Sequence, residues 1–476
     1  MRSADHPASA EVNGEPVSLT RAGPPLYPPR IQPPEEPLAL PAFLREFTKN
    51  PIRVLPRAVY EGDILALRPS VPRVVYCWIT SPELIEDVLI KRASDLNKSP
   101  VEKRVFAKSV GDSVLTADMD HWKWQRRVLA PLFRHQQVLD YVPQMSAAAR
   151  WQVEVWQKAG PSVRDVEDDM TEATLGVIMS TMLGSTDMDT GHRIMEATEH
   201  YLSVSSWEAA CAILKLPEWF PHPGSWSMRS SARELRGIMA DMIQARRESG
   251  GDDTDLLGRL LAAVDPETGR PMDEEGLVNN LSTLLLAGHE TTAKALTWTL
   301  YLLARAPHWQ DAVREEVMKV TGGDPIAAQH IDELEVTTRV LKEAMRLYPP
   351  VPVIARVNTQ PIEAGGEHLP VGSNIVFPVY AIHRHNKSWR DPDRFDPDRF
   401  TEEKAAQISR TQYMPFGAGP RLCIGQSFAM MEAVTLLATF IRAMRFEWDA
   451  KHEPEPVSRV TLRPKGGMPL MVQPLK

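Results

Sequence analysis

Apolar positions recur at helical spacing through most of the middle of the chain. The clearest such stretches predict helices over residues 120–133, 138–158, 166–183 and 229–247, and a shorter one over 41–49. Residues 214–223 hold Trp219, Phe220 and three prolines, and predict a break between two helices. A longer apolar pattern begins after Asp273, a helix-capping residue type followed by Glu274 and Glu275, and continues to about residue 304. At 1.5 Å per residue it predicts a rod roughly 45–50 Å long, enough to cross a whole domain. Period-two patterns are few. Residues 63–67 and 73–80 read as paired strands, and Ser81-Pro82-Glu83 then starts a helix to about residue 91. Short β-like runs return at 363–380 and 460–472. Helices with a small β region and no strand–helix alternation predict a mainly α fold in one large domain, residues 38–476, behind a Pro-rich, extended arm at 1–37.

Composition narrows the function classes. The net charge of −8 gives nucleic-acid binding no support. Three scattered cysteines, Cys77, Cys211 and Cys423, are too few for a disulfide framework, a zinc site or a four-cysteine cluster, and suit a reducing, cytoplasmic compartment. The first 14 residues lack the apolar core of a secretory signal, and no run of 18 apolar residues suggests a membrane span. The apolar residues 38–44 are expected to pack on their own domain. No Gly-rich dinucleotide fingerprint or phosphate loop is present, so electrons for any redox reaction must come from another protein.

Cys423 stands out by its surroundings, Phe416-Gly417-Ala418-Gly419-Pro420-Arg421-Leu422-Cys423-Ile424-Gly425, ahead of an apolar helical run at 428–440. A lone cysteine is ordinarily a small buried hydrophobe. A helix N-terminus, however, favours a thiolate. Gly417 and Gly419 let the backbone come close and aim N–H groups at the sulfur. Arg421 adds a cation and Phe416 a flat apolar face. A thiolate with these neighbours suits haem, with its iron and its carboxylate rim.

The residues fit Phe-x-x-Gly-x-Arg-x-Cys-x-Gly at every fixed position, a match that arises by chance in about one in 10⁴ chains of this length. The stretch resembles the haem-ligating loop of the cytochrome P450 family. The resemblance implies a P450 fold, haem b as cofactor, and Cys423 as the iron ligand, with Phe416, Gly417, Gly425 and Arg421 around it. It extends to further motifs in family order. In Ala287-Gly288-His289-Glu290-Thr291-Thr292, it implies that Ala287 and Gly288 make room over the cofactor and that Glu290 and Thr291 deliver protons during oxygen activation. The bland reading is a polar kink with hydroxyls bonded to their own helix. Trp122 and Arg126, one turn apart, are implied to hold a haem propionate. Arg356 has a place in the same role, although its own context reads as a surface cation. Glu343 and Arg346, with Arg399 of Phe395-Asp396-Pro397-Asp398-Arg399-Phe400, are implied to form a buried ionic lock.

The resemblance implies a monooxygenase that hydroxylates or epoxidises a hydrophobic small molecule, working as a monomer with a ferredoxin or flavodoxin as donor. Lys123, Arg127 and Arg134 are candidates for a basic docking patch, or for an ordinary solvated face. A peroxide-driven peroxygenase or a haem-thiolate isomerase would share the fold; a sensor or carrier of haem is the reading from another class. The substrate pocket is expected to draw on residues 100–114, 201–220, 284–287, 351–354 and 466–468.

Overall fold

The structure, a computed structural model, describes residues 23–69, 74–185, 187–249 and 255–475. Most of the expected N-terminal arm, and Arg73 at the start of the second expected strand, lie outside these residues. The described part of the arm is extended and docked: Ile31 is buried, its N–H donates to the Tyr380 hydroxyl at 3.2 Å, and the Tyr348 hydroxyl donates to Pro29 O at 2.7 Å.

The β region is small, as its few alternating runs predict. Strands β1 (Ile64–Leu67) and β2 (Tyr76–Ile79) pair antiparallel with Ile64 opposite Ile79. Together with β3 (Leu96–Lys98), β4 (Ile354–Asn358) and β5 (Asn374–Phe377) they form one five-stranded sheet in the order β1-β2-β5-β4-β3. The β2–β5 pair is parallel, a long-range contact with no local signal. A three-stranded sheet centred on Pro469–Pro474 flanks the helices. After Ser81, whose side chain accepts from the Leu84 N–H, the expected helix runs Pro82–Ile85 and then widens into a π-helical turn, Glu86–Lys91.

The helices that matter for the site are α1 (Pro100–Val110), α2 (Met119–Leu129), α3 (Val142–Ala159), α4 (Val166–Thr181), α5 (Ser205–Ile213), α6 (Ser225–Ser249), α7 (Glu274–Arg305), α8 (Glu335–Leu347) and α9 (Gln426–Ala443). The expected helix at 138–158 is interrupted at Asp140-Tyr141, and α6 starts four residues before its expected beginning. α7 has 32 residues, about 48 Å. Asp273 caps it, its side chain accepting from the Gly276 N–H at 2.8 Å. Every residue of α7 from Leu277 to Leu303 is buried except Ala287, Gly288 and Thr291. Its C-terminal half is anchored by Trp298, which stacks on Tyr348 at 3.8 Å and donates to Leu462 O. On the other side of the core, Trp156 of α3 meets Phe440 of α9 and Phe446 edge-on, while its N–H donates to Asp169 at 2.8 Å. Among the described residues no helix is long and apolar enough to cross a membrane.

Candidate active site

The Cys423 loop is held open by glycines. Gly417 and Gly419 have φ of +79° and +73°, and a Cβ on Gly419 would stand 2.7 Å from the Leu89 carbonyl oxygen. The Cys423 N–H donates to Phe416 O at 3.0 Å, which closes the loop three residues before α9 begins. Cys77 and Cys211 are buried, whereas Cys423 is exposed although much protein surrounds it. The hydrogen bond to its sulfur comes from the Gly425 N–H. That differs from the expectation placed on Gly417, whose N–H is spent on Met414 O. Burial pushes the Cys423 thiol up, opposed by Gly425 and by the charge of Arg126. The helix end therefore does not make the thiolate by itself; binding a metal would supply the deprotonation.

Beside the loop, one small cavity is lined by Trp122, Arg356 and Arg421 together with apolar residues. The Arg421 guanidinium lies over the Trp122 ring at 4.7 Å and donates to Ala117 O at 2.7 Å. Its Nε and Nη1 are buried without a partner among the described residues. Burial, and then Arg356, push its pKa down to about 10. Arg356 is not the surface cation its local context suggests: it is buried in β4, donating to Ala355 O and lying 3.9 Å from Glu102. Lys98, absent from the sequence reading, joins them. Burial lowers it to about 8, while Glu102 at 3.0 Å opposes the shift. Three cations thus share one partly buried carboxylate, that of Glu102; Asp118, which also acts on Arg421, is half-exposed and paired with Lys103. The excess of two positive charges fits a group bearing two carboxylates, as the rim of haem does. Arg126 takes a different position from Arg421: its Nη1 donates to Leu422 O at 2.7 Å, next to the sulfur.

The second wall is the open patch of α7. Ala287 and Thr291 lie at i and i+4, one above the other. The Thr291 hydroxyl donates to Ala287 O at 2.8 Å, leaving its lone pairs free. Gly288 does not serve the open side. A Cβ there would meet Ile178 of α4 at 2.9 Å, so the glycine lets two helices approach. Glu290 points elsewhere, buried, accepting from Thr461 at 2.7 Å and Arg463 at 2.9 Å. Burial raises its pKa, but Arg463, Lys294 and Thr461 outweigh that and hold it below the usual carboxylate range. Arg463 also lies 3.7 Å from the exposed Glu199, so a charged chain links Glu290 to the surface. Beyond Leu286 an apolar cluster forms from Val110, Tyr201, Leu202, Met228 and Ala232.

The ionic lock is assembled as expected. Glu343 takes Arg346 in two hydrogen bonds, 2.7 and 2.8 Å, with both side chains fully buried, and Arg399 lies 3.4 Å away. Arg346 also donates to His383 O, Pro392 O and Arg394 O. His383, again missed from sequence, continues the connection. Its Nδ1 faces Arg346 O at 3.2 Å, and its Nε2 accepts the Met414 N–H at 2.9 Å, two residues before Phe416. Burial, with Arg346 adding to it, pushes His383 down to about 3, so it is neutral and fixed in the Nδ1–H form. The expected basic patch is weaker than its sequence suggests. Arg127 is bidentate on Asp265 at 3.0 Å and also meets Glu267, and Lys123 is near Asp120; Arg134 is exposed.

Comparison with known proteins agrees with this geometry. The family model described as Cytochrome P450 matches residues 58–471. The chain is 33% identical to cyclooctatin synthase of Streptomyces melanosporofaciens, covering 92% of this chain and 93% of that one. It is 31% identical to a cytokinin hydroxylase of Arabidopsis thaliana, covering 83% and 78%, and 30% identical to cyclooctat-9-en-7-ol 5-monooxygenase of S. melanosporofaciens, covering 83% and 85%. Among solved structures, the heme domain of cytochrome P450DA superposes with a TM-score of 0.77 at 26% identity, covering 94% of this chain and 97% of that one.

Proposed function

The chain belongs to the cytochrome P450 family and is a haem monooxygenase, and from that membership we propose that it hydroxylates or epoxidises a hydrophobic small molecule with electrons from a separate ferredoxin or flavodoxin. The observation that carries this reading is the open patch at Ala287 and Thr291 in an otherwise buried helix, next to an apolar cluster. A largely hydrocarbon substrate can bury its surface there without stranding polar groups. Bound haem b, through a thiolate that favours O–O cleavage, would supply the oxygen chemistry. Cys423 would be its ligand; Trp122, Arg356, Arg421 and Lys98 would hold its carboxylates, with Arg126 beside the sulfur. Phe416, Gly417, Gly425 and Ala287 would border its faces. Thr291 would move a proton at its Oγ1, and Glu290 would connect that site to the surface through Arg463. We place the enzyme in the cytoplasm as a monomer, its donor docking near Cys423 and Arg134.

The test is reconstitution with a surrogate ferredoxin and reductase under ¹⁸O₂, using substrates chosen by haem spin-state shift from fatty acids, terpenoids, steroids and aromatics. One labelled oxygen atom per product is expected. Turnover with hydrogen peroxide alone and none with O₂ would replace this reading by a peroxygenase.

A further inference from the structure

Asn279 and Asn280 interrupt the apolar run at the start of α7, and both are buried. Asparagine favours a helix less than leucine does, so helix formation and packing do not account for two of them here. Their amides reach out of α7 to residues 111–118, the link between α1 and α2. Asn280 Oδ1 accepts the Val114 N–H at 3.0 Å. Its Nδ2 donates to Gln125 Oε1 of α2 and to Gly276 O, each at 2.9 Å. These partners fix which way round the amide lies. Gln125, itself buried, donates to Asp112 O at 3.2 Å. Asn279 accepts from the Arg236 guanidinium of α6 and sits so close to the link that a Cβ on Gly111, at φ +53°, would overlap its Oδ1.

The link borders the site at two points. Leu115 packs against the apolar cluster that holds Leu286, the residue before Ala287 of the open patch. Two residues on, Ala117 O accepts from Arg421 at 2.7 Å. Within the link, the N–H groups of Thr116 and Ala117 donate to Ser113 O at 3.0 and 2.8 Å, and the Thr116 hydroxyl donates to Gly111 O at 2.6 Å. Residues 113–117 are therefore one stiff turn, and the bond from Asn280 enters it one residue before Leu115. A hydrogen bond in a low-dielectric interior is strengthened, and losing it leaves the Val114 N–H to find another partner. The position of Leu115 follows from that one tether.

We propose that Asn280 is a positioning residue for substrate specificity: by fixing the Val114 N–H it sets the place of Leu115 in the pocket wall, and so the bulk of the group admitted beside the α7 patch. The proposal rests on the monooxygenase reading, in which that patch borders the bound cofactor. Asn280 touches neither substrate nor cofactor and acts through Leu115. Asn279 and Gln125 hold the same link from its two flanks, towards α6 and α2. The amide is neutral, so its effect is one of shape and does not vary with pH.

Azole binding to the haem-loaded protein tests it without turnover. Imidazole and 4-phenylimidazole ligate iron through the same kind of nitrogen and differ chiefly in bulk. Asn280→Leu is expected to leave imidazole affinity unchanged and to tighten 4-phenylimidazole about fivefold, as Leu115 yields. Leu115→Ala should tighten it as well. In the Leu115→Ala background Asn280→Leu should add nothing, because no wall is left to hold. Asn280→Asp keeps an acceptor for the Val114 N–H and should stay within about twofold of the wild type. Val114→Pro serves if Asn280→Leu does not fold. It deletes the donor at the second position of the Ser113–Thr116 turn, a place that suits proline. An unchanged 4-phenylimidazole affinity, an equal shift for both azoles, or an Asn280→Leu effect undiminished in Leu115→Ala overturns the proposal. A wild type that ligates both azoles and makes no product from O₂ would instead overturn the monooxygenase reading, leaving the azole comparison as it is.

Discussion

Glu290 and Thr291 are adjacent in sequence, yet a rotation of about 100° along the helix gives them opposite surroundings. Thr291 is on the open patch; Glu290 is fixed in a charged chain. Thr291→Ala is expected to keep haem binding and substrate-induced spin shift but to divert reducing equivalents to peroxide, read as NADPH consumed per product; unchanged coupling would remove its role. His383 gives a pH signature. Its pKa is depressed from the ordinary 6.5 to about 3 in the folded protein, so the unfolded chain binds the extra proton. The stability this group contributes is present above pH 6.5 and is lost as pH falls toward 3, at up to about 1.4 kcal/mol per pH unit. His383→Gln keeps a donor and an acceptor without titrating. Between pH 7 and 5 its urea stability should fall about 2 kcal/mol less than that of the wild type. The Cys423 loop was readable in sequence because its residues are contiguous. Lys98, Glu102 and His383 were not, because each takes its meaning from a distant partner; Glu102 accepts from the Ala355 N–H across 253 residues.

At the scale of elements, helical periodicity located the long helix nearly to its ends, since the cap at Asp273 and the apolar run are both local. It did not show which side Gly288 serves. A glycine that admits a cofactor and one that admits a neighbouring helix look alike until the packing is known. Gly288→Val should cost about 1–3 kcal/mol through overpacking against Ile178. The thermal midpoint should drop while the folded fraction still binds haem in full; loss of haem from folded protein would return Gly288 to the cofactor side.

The whole molecule is joined by contacts between segments far apart in the chain. The parallel β2–β5 pair and the convergence of α8, Arg399 and His383 had no local sequence signal; only motif order suggested the lock. Glu343→Gln would leave the buried Arg346 without its counter-charge, at about 3–5 kcal/mol, measurable by urea unfolding. Because Arg346 connects through His383 to Met414, haem uptake should weaken along with stability; an unchanged haem affinity in folded variant would show that the lock and the loop are independent.

The three cations beside the Cys423 loop share a single, partly buried carboxylate. A ligand that brings two negative charges removes their mutual repulsion and binds the folded form alone, so it shifts the folding equilibrium by mass action. A chain synthesised while iron is scarce keeps that repulsion, opens more often and is exposed to proteolysis each time. Iron supply would then govern how much of this protein a cell accumulates, before it governs how fast any substrate is oxidised.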